Sequence, residues 1–125
     1  MRTLFIKFYI LFALTILSVL FIYRCEDSVG GNKQIEVDLK KTKGYCHDFE
    51  ISGDEEGVTI IKQAEHYRES QLYRDSTTNW SEVYCYKPDT NYIGYDEVIF
   101  LTCTGGSGGG CNHIDTVVIR FNVTE

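Results

Sequence analysis

The chain has 125 residues, of which 18 are acidic and 12 basic, giving a formal net charge of −6. That length holds one domain beyond whatever its first residues form. The acidic balance argues against nucleic acid as a partner, because such a surface repels phosphate backbones.

Residues 8–23, FYILFALTILSVLFIY, carry no charge and follow Arg2 and Lys7. A positive start and an apolar run are the grammar of an export signal. The run is shorter than the ~20 residues of a usual transmembrane helix, although spans of about 17 occur. Residues 1–24 are therefore read as a signal peptide or membrane anchor. Losing them removes Arg2, Lys7 and Arg24 and takes the formal charge from −6 to −9. Three outcomes stay open: a lipid on Cys25, an uncleaved anchor, or soluble secretion. Cys25 directly follows the apolar run, and Glu26-Asp27 after it suits a surface lipoprotein. Tyr23 and Arg24 suit a lipidation site poorly. Each outcome places the domain outside the cytoplasm, tethered to the cell envelope or released from it.

Residues 25–32 are polar and glycine-bearing and read as a tether. Ile35, Val37 and Leu39 then alternate with Glu36, Asp38 and Lys40, the pattern of a half-buried strand. Ser52 to Gly57 is a turn by composition, and Val58 to Lys62 is a second strand. Ala64 to Arg74 fits neither helix nor strand period well and is read as a strand from its neighbours. Val83 to Tyr86 forms a strand stopped by Pro88. Val98, Phe100 and Thr102 alternate with Ile99, Leu101 and Cys103. Val117, Ile119, Phe121 and Val123 alternate with Val118, Arg120 and Asn122, so one apolar face lines a core. Short strands, turn signals and no amphipathic helix predict an all-β, antiparallel sandwich over residues 33–125. No internal repeat is visible.

Five cysteines are present: Cys25, Cys46, Cys85, Cys103 and Cys111. In an oxidising compartment an even set pairs. With Cys25 assigned to the membrane, Cys103 and Cys111 flank a short glycine loop whose ends must meet. Cys46 is then left to pair with Cys85. The competing zinc reading would use Cys103, Cys111 and His113, with Cys46 and His47. It is set aside because no CxxC pair is present and exported thiols oxidise. No metal and no cofactor is expected.

The C-terminal half resembles a known family. Tyr86-x-Pro88 followed by Tyr92-x-Gly94-x-Asp96-x-Val98-x-Phe100 is similar to the signature of bacterial immunoglobulin-like, cadherin-like repeats. Cys103, the glycine loop, Cys111 and the closing strand from Asp115 to Val123 follow in that family's order. The match covers roughly residues 84–123. It departs at Val98 and Phe100, where the family favours phenylalanine and tyrosine, and in the length of the glycine loop. The resemblance implies an immunoglobulin-like sandwich serving as a spacer, adhesion or presentation module of a cell-surface protein. A single copy argues against a stalk. Independently of the family, Gly94 permits a turn closed to other residues, and Asp96 can bond backbone amides at that corner.

Groups that suggest chemistry have plainer explanations. Gly105 to Gly110 lacks the Lys-Ser/Thr and the helix of a phosphate-binding loop. His47 and His113 read as exposed loop residues beside disulfides, and no nucleophile motif accompanies either of them or His66. Asp54, Glu55 and Glu56 lack the EF-hand spacing and read as a solvated turn. Asn79-Trp80-Ser81 and Asn122-Val123-Thr124 match the glycosylation triplet. The aromatic content is high, with Tyr67, Tyr73, Trp80, Tyr84, Tyr86, Tyr92 and Tyr95, and of these Trp80, Tyr84, Tyr86 and Tyr92 form the candidate binding patch. Tyr84 and Tyr86 are placed on the outer face of their strand, opposite Val83 and Cys85. Such rings suit protein or carbohydrate contacts. The expected function is a non-enzymatic surface module that binds a protein or glycan. The alternative is a structural accessory subunit of a cell-envelope assembly with no ligand of its own.

Overall fold

The computed structural model describes residues 30–105, 108 and 110–125. The signal or anchor segment, the lipidation candidate Cys25 and the first residues of the tether lie outside them. The described chain is all-β apart from one 3-10 turn at Ser76–Thr78. Its strands are β1 (Asn32–Lys40), β2 (Tyr45–Asp48), β3 (Gly57–Lys62), β4 (Tyr67–Tyr73), β5 (Val83–Pro88), β6 (Gly94–Thr104) and β7 (His113–Thr124). They build a four-stranded sheet in the order β1-β7-β6-β3 and a three-stranded sheet in the order β2-β5-β4. The segment that fitted no period is strand β4, paired along β5.

Pairing is antiparallel except at one edge. There β1 runs parallel to β7 from Asn32 opposite Thr116 to Lys40 opposite Thr124. The expected all-antiparallel arrangement is corrected here. Alternation reveals which residues of a strand face inward but not which strand lies beside it. Parallel neighbours need a long crossover, and the whole intervening domain supplies one.

The core lies between the two sheets. Val98, Phe100, Val117, Ile119, Phe121 and Val123 come from the four-stranded sheet, Tyr84 and Tyr86 from the other. The sheets meet ring on ring. Tyr86 stacks on Phe121 with centroids 4.0 Å apart, and Tyr84 meets Phe100 edge-on at 4.7 Å. Aromatic pairs in such geometries add about 0.5–1.5 kcal/mol each beyond the area they bury.

The chain crosses between sheets at four of its six connections, and these crossovers are held by polar anchors. Residues 63–66, between β3 and β4, are secured from both sheets. Asp96 of β6 accepts hydrogen bonds from the amides of Glu65 and His66, each 2.9 Å long. The Tyr86 hydroxyl of β5 donates to the same carboxylate at 3.0 Å. Tyr84 reaches the crossover by relay, its hydroxyl 2.6 Å from Ser70 Oγ, which in turn donates to Gln63 Oε1. The β2–β3 crossover is held by Arg74, whose guanidinium donates to the carbonyls of Gly53 and Glu56. Gly94 has φ of +143°, a conformation L residues rarely adopt, and the Tyr92 hydroxyl lies 3.0 Å from where a Cβ would sit.

Both disulfides form, Cys46–Cys85 across 39 residues and Cys103–Cys111 across 8. Cys46 and Cys85 are directly opposed on β2 and β5, so this bridge joins neighbouring strands of one sheet rather than the two sheets. The chain-entropy model ties a crosslink's stabilisation to the loop it closes. Replacing Cys46 and Cys85 by alanine should cost about 4 kcal/mol, and the Cys103/Cys111 pair about 2.5 kcal/mol. Denaturant titration of the two double variants checks that order. Asp96→Ala removes the acceptor of three backbone amides, those of Glu65, His66 and Glu97, and leaves the Tyr86 hydroxyl only the His66 carbonyl. It should cost about 3 kcal/mol or more, against about 1 kcal/mol for Tyr86→Phe. Equal losses from these two variants would contradict the anchoring role given to the carboxylate.

Candidate functional site

The four rings of the sequence-derived patch do not come together. Tyr84 and Tyr86 are fully buried, at 0% exposure, and their strand faces the opposite way from the expected one. Val83, Cys85 and Lys87 point outward. The tyrosines go inward because they fill far more of the space between the sheets and because both hydroxyls find partners there. Trp80 is 60% exposed on the connection before β5, while Tyr92 follows its other end. Tyr92 is half-buried, stacked on the His66 ring with centroids 3.9 Å apart.

The histidines also separate. His113 is exposed at the start of β7. His47, expected in an exposed loop, is half-buried on β2, with Phe49 edge-on at 4.8 Å. Burial, and then Lys33, push its pKa below the ordinary value. Cys46, Cys85, Cys103 and Cys111 are all committed to disulfides and offer no thiolate to a metal. In the acidic turn, Glu56 accepts hydrogen bonds from the amides of Gly53 and Gly105, tying that turn to the base of the glycine loop.

The surface that stands out instead is the outer face of the four-stranded sheet. Register places Ile99 opposite Val118, Leu101 between Thr59 and Thr116, and Cys103 opposite Ile114. All of these point away from the core. Ile114 is 49% exposed, and Ile61, in phase with the outward Thr59 and set at a bulge in β3, is 56% exposed. The result is an apolar band across β3, β6 and β7. One row further along, charges replace it. Glu97 on β6 receives Arg120 Nε at 2.7 Å and Lys62 Nζ at 3.2 Å, and Arg120 continues to Glu36 at 3.5 Å. These two hydrogen-bonded cations hold the Glu97 carboxyl below its usual range.

Beyond the charged row the face ends at Tyr95, which is 75% exposed. Tyr95 borders an open cleft of about 380 Å³ lined also by Lys62, Glu65, His66, Asp96, Glu97 and Arg120. In the sequence Tyr95 stands among the aromatic residues from which the candidate patch is drawn but outside the patch itself, and Lys62, Glu97 and Arg120 carry no site signal of their own. Parity carried part of the signal: Tyr95, Glu97, Ile99 and Leu101 share one side of β6, opposite the buried Asp96, Val98 and Phe100. No family model and no curated protein matches this chain.

Burial raises the pKa of both inward tyrosines, Tyr84 to about 12 and Tyr86 further, with the Asp96 charge adding to the effect on Tyr86. A phenol whose folded pKa lies above its unfolded value stabilises the fold fully below the unfolded value near 10. That stability is lost as pH rises from about 10 towards the folded value. Stability measured by denaturant at stepped pH should therefore fall from about pH 10 towards 12, and Tyr84→Phe should flatten part of the fall. An unchanged slope in that variant would argue that Tyr84 is not buried as described.

Proposed function

We propose that this chain is an exported, non-enzymatic surface module with an immunoglobulin-like sandwich. It binds a protein or glycan partner through the outer face of its four-stranded sheet. The two disulfides fit an oxidising, extracytoplasmic environment. The strand order supports the immunoglobulin-like reading. Taking β1 to β7 as strands A to G, B, E and D share one sheet and C, F and G the other, the constant-type arrangement. Strand A is moved to the edge of G. The resemblance between residues 84 and 123 and bacterial cadherin-like repeats points the same way. The N-terminal segment holds the module at the membrane or releases it after cleavage.

The observation that carries the binding reading is the apolar band of Ile61, Ile99, Leu101, Ile114 and Val118 on a sheet face that no described residue covers. Contiguous apolar surface of this kind marks contact sites in soluble domains. The outer face of the other sheet is polar by comparison, with Glu69, Gln71 and Lys87 around the Cys46–Cys85 bridge. A second reading, a structural accessory of an envelope assembly, is favoured by the burial of Tyr84 and Tyr86, which removes the expected ring patch.

Photo-crosslinking in intact cells tests the surface. A benzophenone side chain at Leu101 or Ile114 should yield a discrete covalent adduct on irradiation, and one at Gln71 on the opposite face should not. Adducts equally from both faces, or from neither, would overturn the assignment. A crosslinked partner that also co-purifies at fixed stoichiometry without irradiation would select the accessory-subunit reading.

A further inference from the structure

We propose that the cleft beside Tyr95 is a subsite for an uncharged saccharide, bound by stacking on the Tyr95 ring and by hydrogen bonds to Glu65, Lys62 and Arg120. This deepens the surface-module reading, and rests on it, by naming a ligand class for one end of the outer face.

Three features select that chemistry. The first is the platform. Tyr95 is 75% exposed at the start of β6, where its backbone is pinned by the Tyr92 hydroxyl, which donates to the Tyr95 carbonyl at 2.5 Å. Tyr92 is itself stacked on His66. An exposed aromatic ring on a rigid base offers an apolar face at small entropic cost. The C–H face of a sugar ring is suited to such a surface.

The second feature is the polar rim. Lys62 and Arg120 supply N–H donors beyond those they spend on Glu97. The Glu65 carboxylate accepts no hydrogen bond among the described residues, although the Glu65 amide is held firmly by Asp96. Donors and acceptors thus stand around one ring, as vicinal hydroxyls require, since each hydroxyl both donates and accepts. Asp96 takes no part in binding. Its oxygens are already occupied by the amides of Glu65, His66 and Glu97 and by Tyr86.

The third feature is the pairing of charge. Lys62 and Arg120 are both spent on Glu97, and the Asp96 carboxylate is taken up by four hydrogen bonds. Of the three carboxylates lining the cleft, only Glu65 therefore has no partner among the described residues. A phosphate or carboxylate ligand would have to take the cations from Glu97, and a metal ion would have to take Glu97 from the cations. An uncharged ligand disturbs neither. At about 380 Å³ the cleft lies at the small end of ligand sites, which run from roughly 300 to 1,000 Å³. It fits the end of a chain rather than a long stretch.

Saturation-transfer NMR on the exported protein tests this, with maltotetraose, cellotetraose, chitotetraose and mannotetraose as probes. At least one should give a saturable signal on its ring C–H protons. Tyr95→Ala should weaken that binding about tenfold or more, while Tyr95→Phe retains it. Glu65→Ala, at a side chain with no partner in the described fold, should weaken it without altering the denaturant midpoint, which keeps the test valid if Tyr95→Ala is unstable. No saturable signal from any probe up to about 10 mM, or equal binding by Tyr95→Ala, would overturn the subsite. Crosslinks at Leu101 that persist in that case would leave the outer-face reading standing, and their absence would remove both.

Discussion

The fold depends on how the crossover from one sheet to the other, residues 63–66, is held. Asp96 sits on the central strand β6 of one sheet, yet its carboxylate is spent on backbone amides of the crossover and on a tyrosine of the other sheet. Tyr84 reaches the same segment through Ser70 and Gln63. A buried polar group is costly unless every partner is present, so this network admits one arrangement of the two sheets and penalises others. Among the described residues no buried side-chain nitrogen or oxygen lacks a hydrogen-bond partner. The domain is small, and its fixed geometry rests on a few such anchors together with the stacked rings between them.

That anchoring decides how the aromatic residues are divided. The largest rings of the three-stranded sheet are drawn inward because the core offers both volume and hydroxyl partners. The exposed rings are pushed to the ends of the strands, Trp80 at one end of β5 and Tyr95 beyond the other. Among the described residues no layer covers the outer side of the four-stranded sheet, and its parity leaves isoleucine, leucine and valine there. The ion-paired row of Lys62, Glu97, Arg120 and Glu36 divides its apolar band from its aromatic end.

The two disulfides serve different ends. Cys46–Cys85 staples the short strand β2, only four residues long, to the middle of its sheet. Cys103–Cys111 closes the base of the glycine loop, where Glu56 and Asn112 also bond Gly105. The first secures an edge that pairing alone would hold weakly. The second fixes the register of the β6–β7 hairpin, which carries most of the outer apolar face.

Taken alone, the sequence determined the class of the fold, every strand except β2, both sulfur pairings and the inward sets on β1 and β7. Those features are local: a two-residue period, a turn composition and a short loop between cysteines are written in neighbouring residues. It did not determine that β1 lies parallel beside β7, because strand partnership is a property of the whole chain. Nor did it settle which side of β5 faces inward, since Val83-Tyr84-Cys85-Tyr86 is apolar on both sides. Lys87, in phase with Val83 and Cys85, was the one local sign that their side meets water. The outer band and the Tyr95 cleft gather residues from β3, β6 and β7 and from the loop before β4, up to 58 positions apart between Lys62 and Arg120. Strand pairing within the four-stranded sheet, together with the crossover that the Asp96 carboxylate holds against it, brings them to one face.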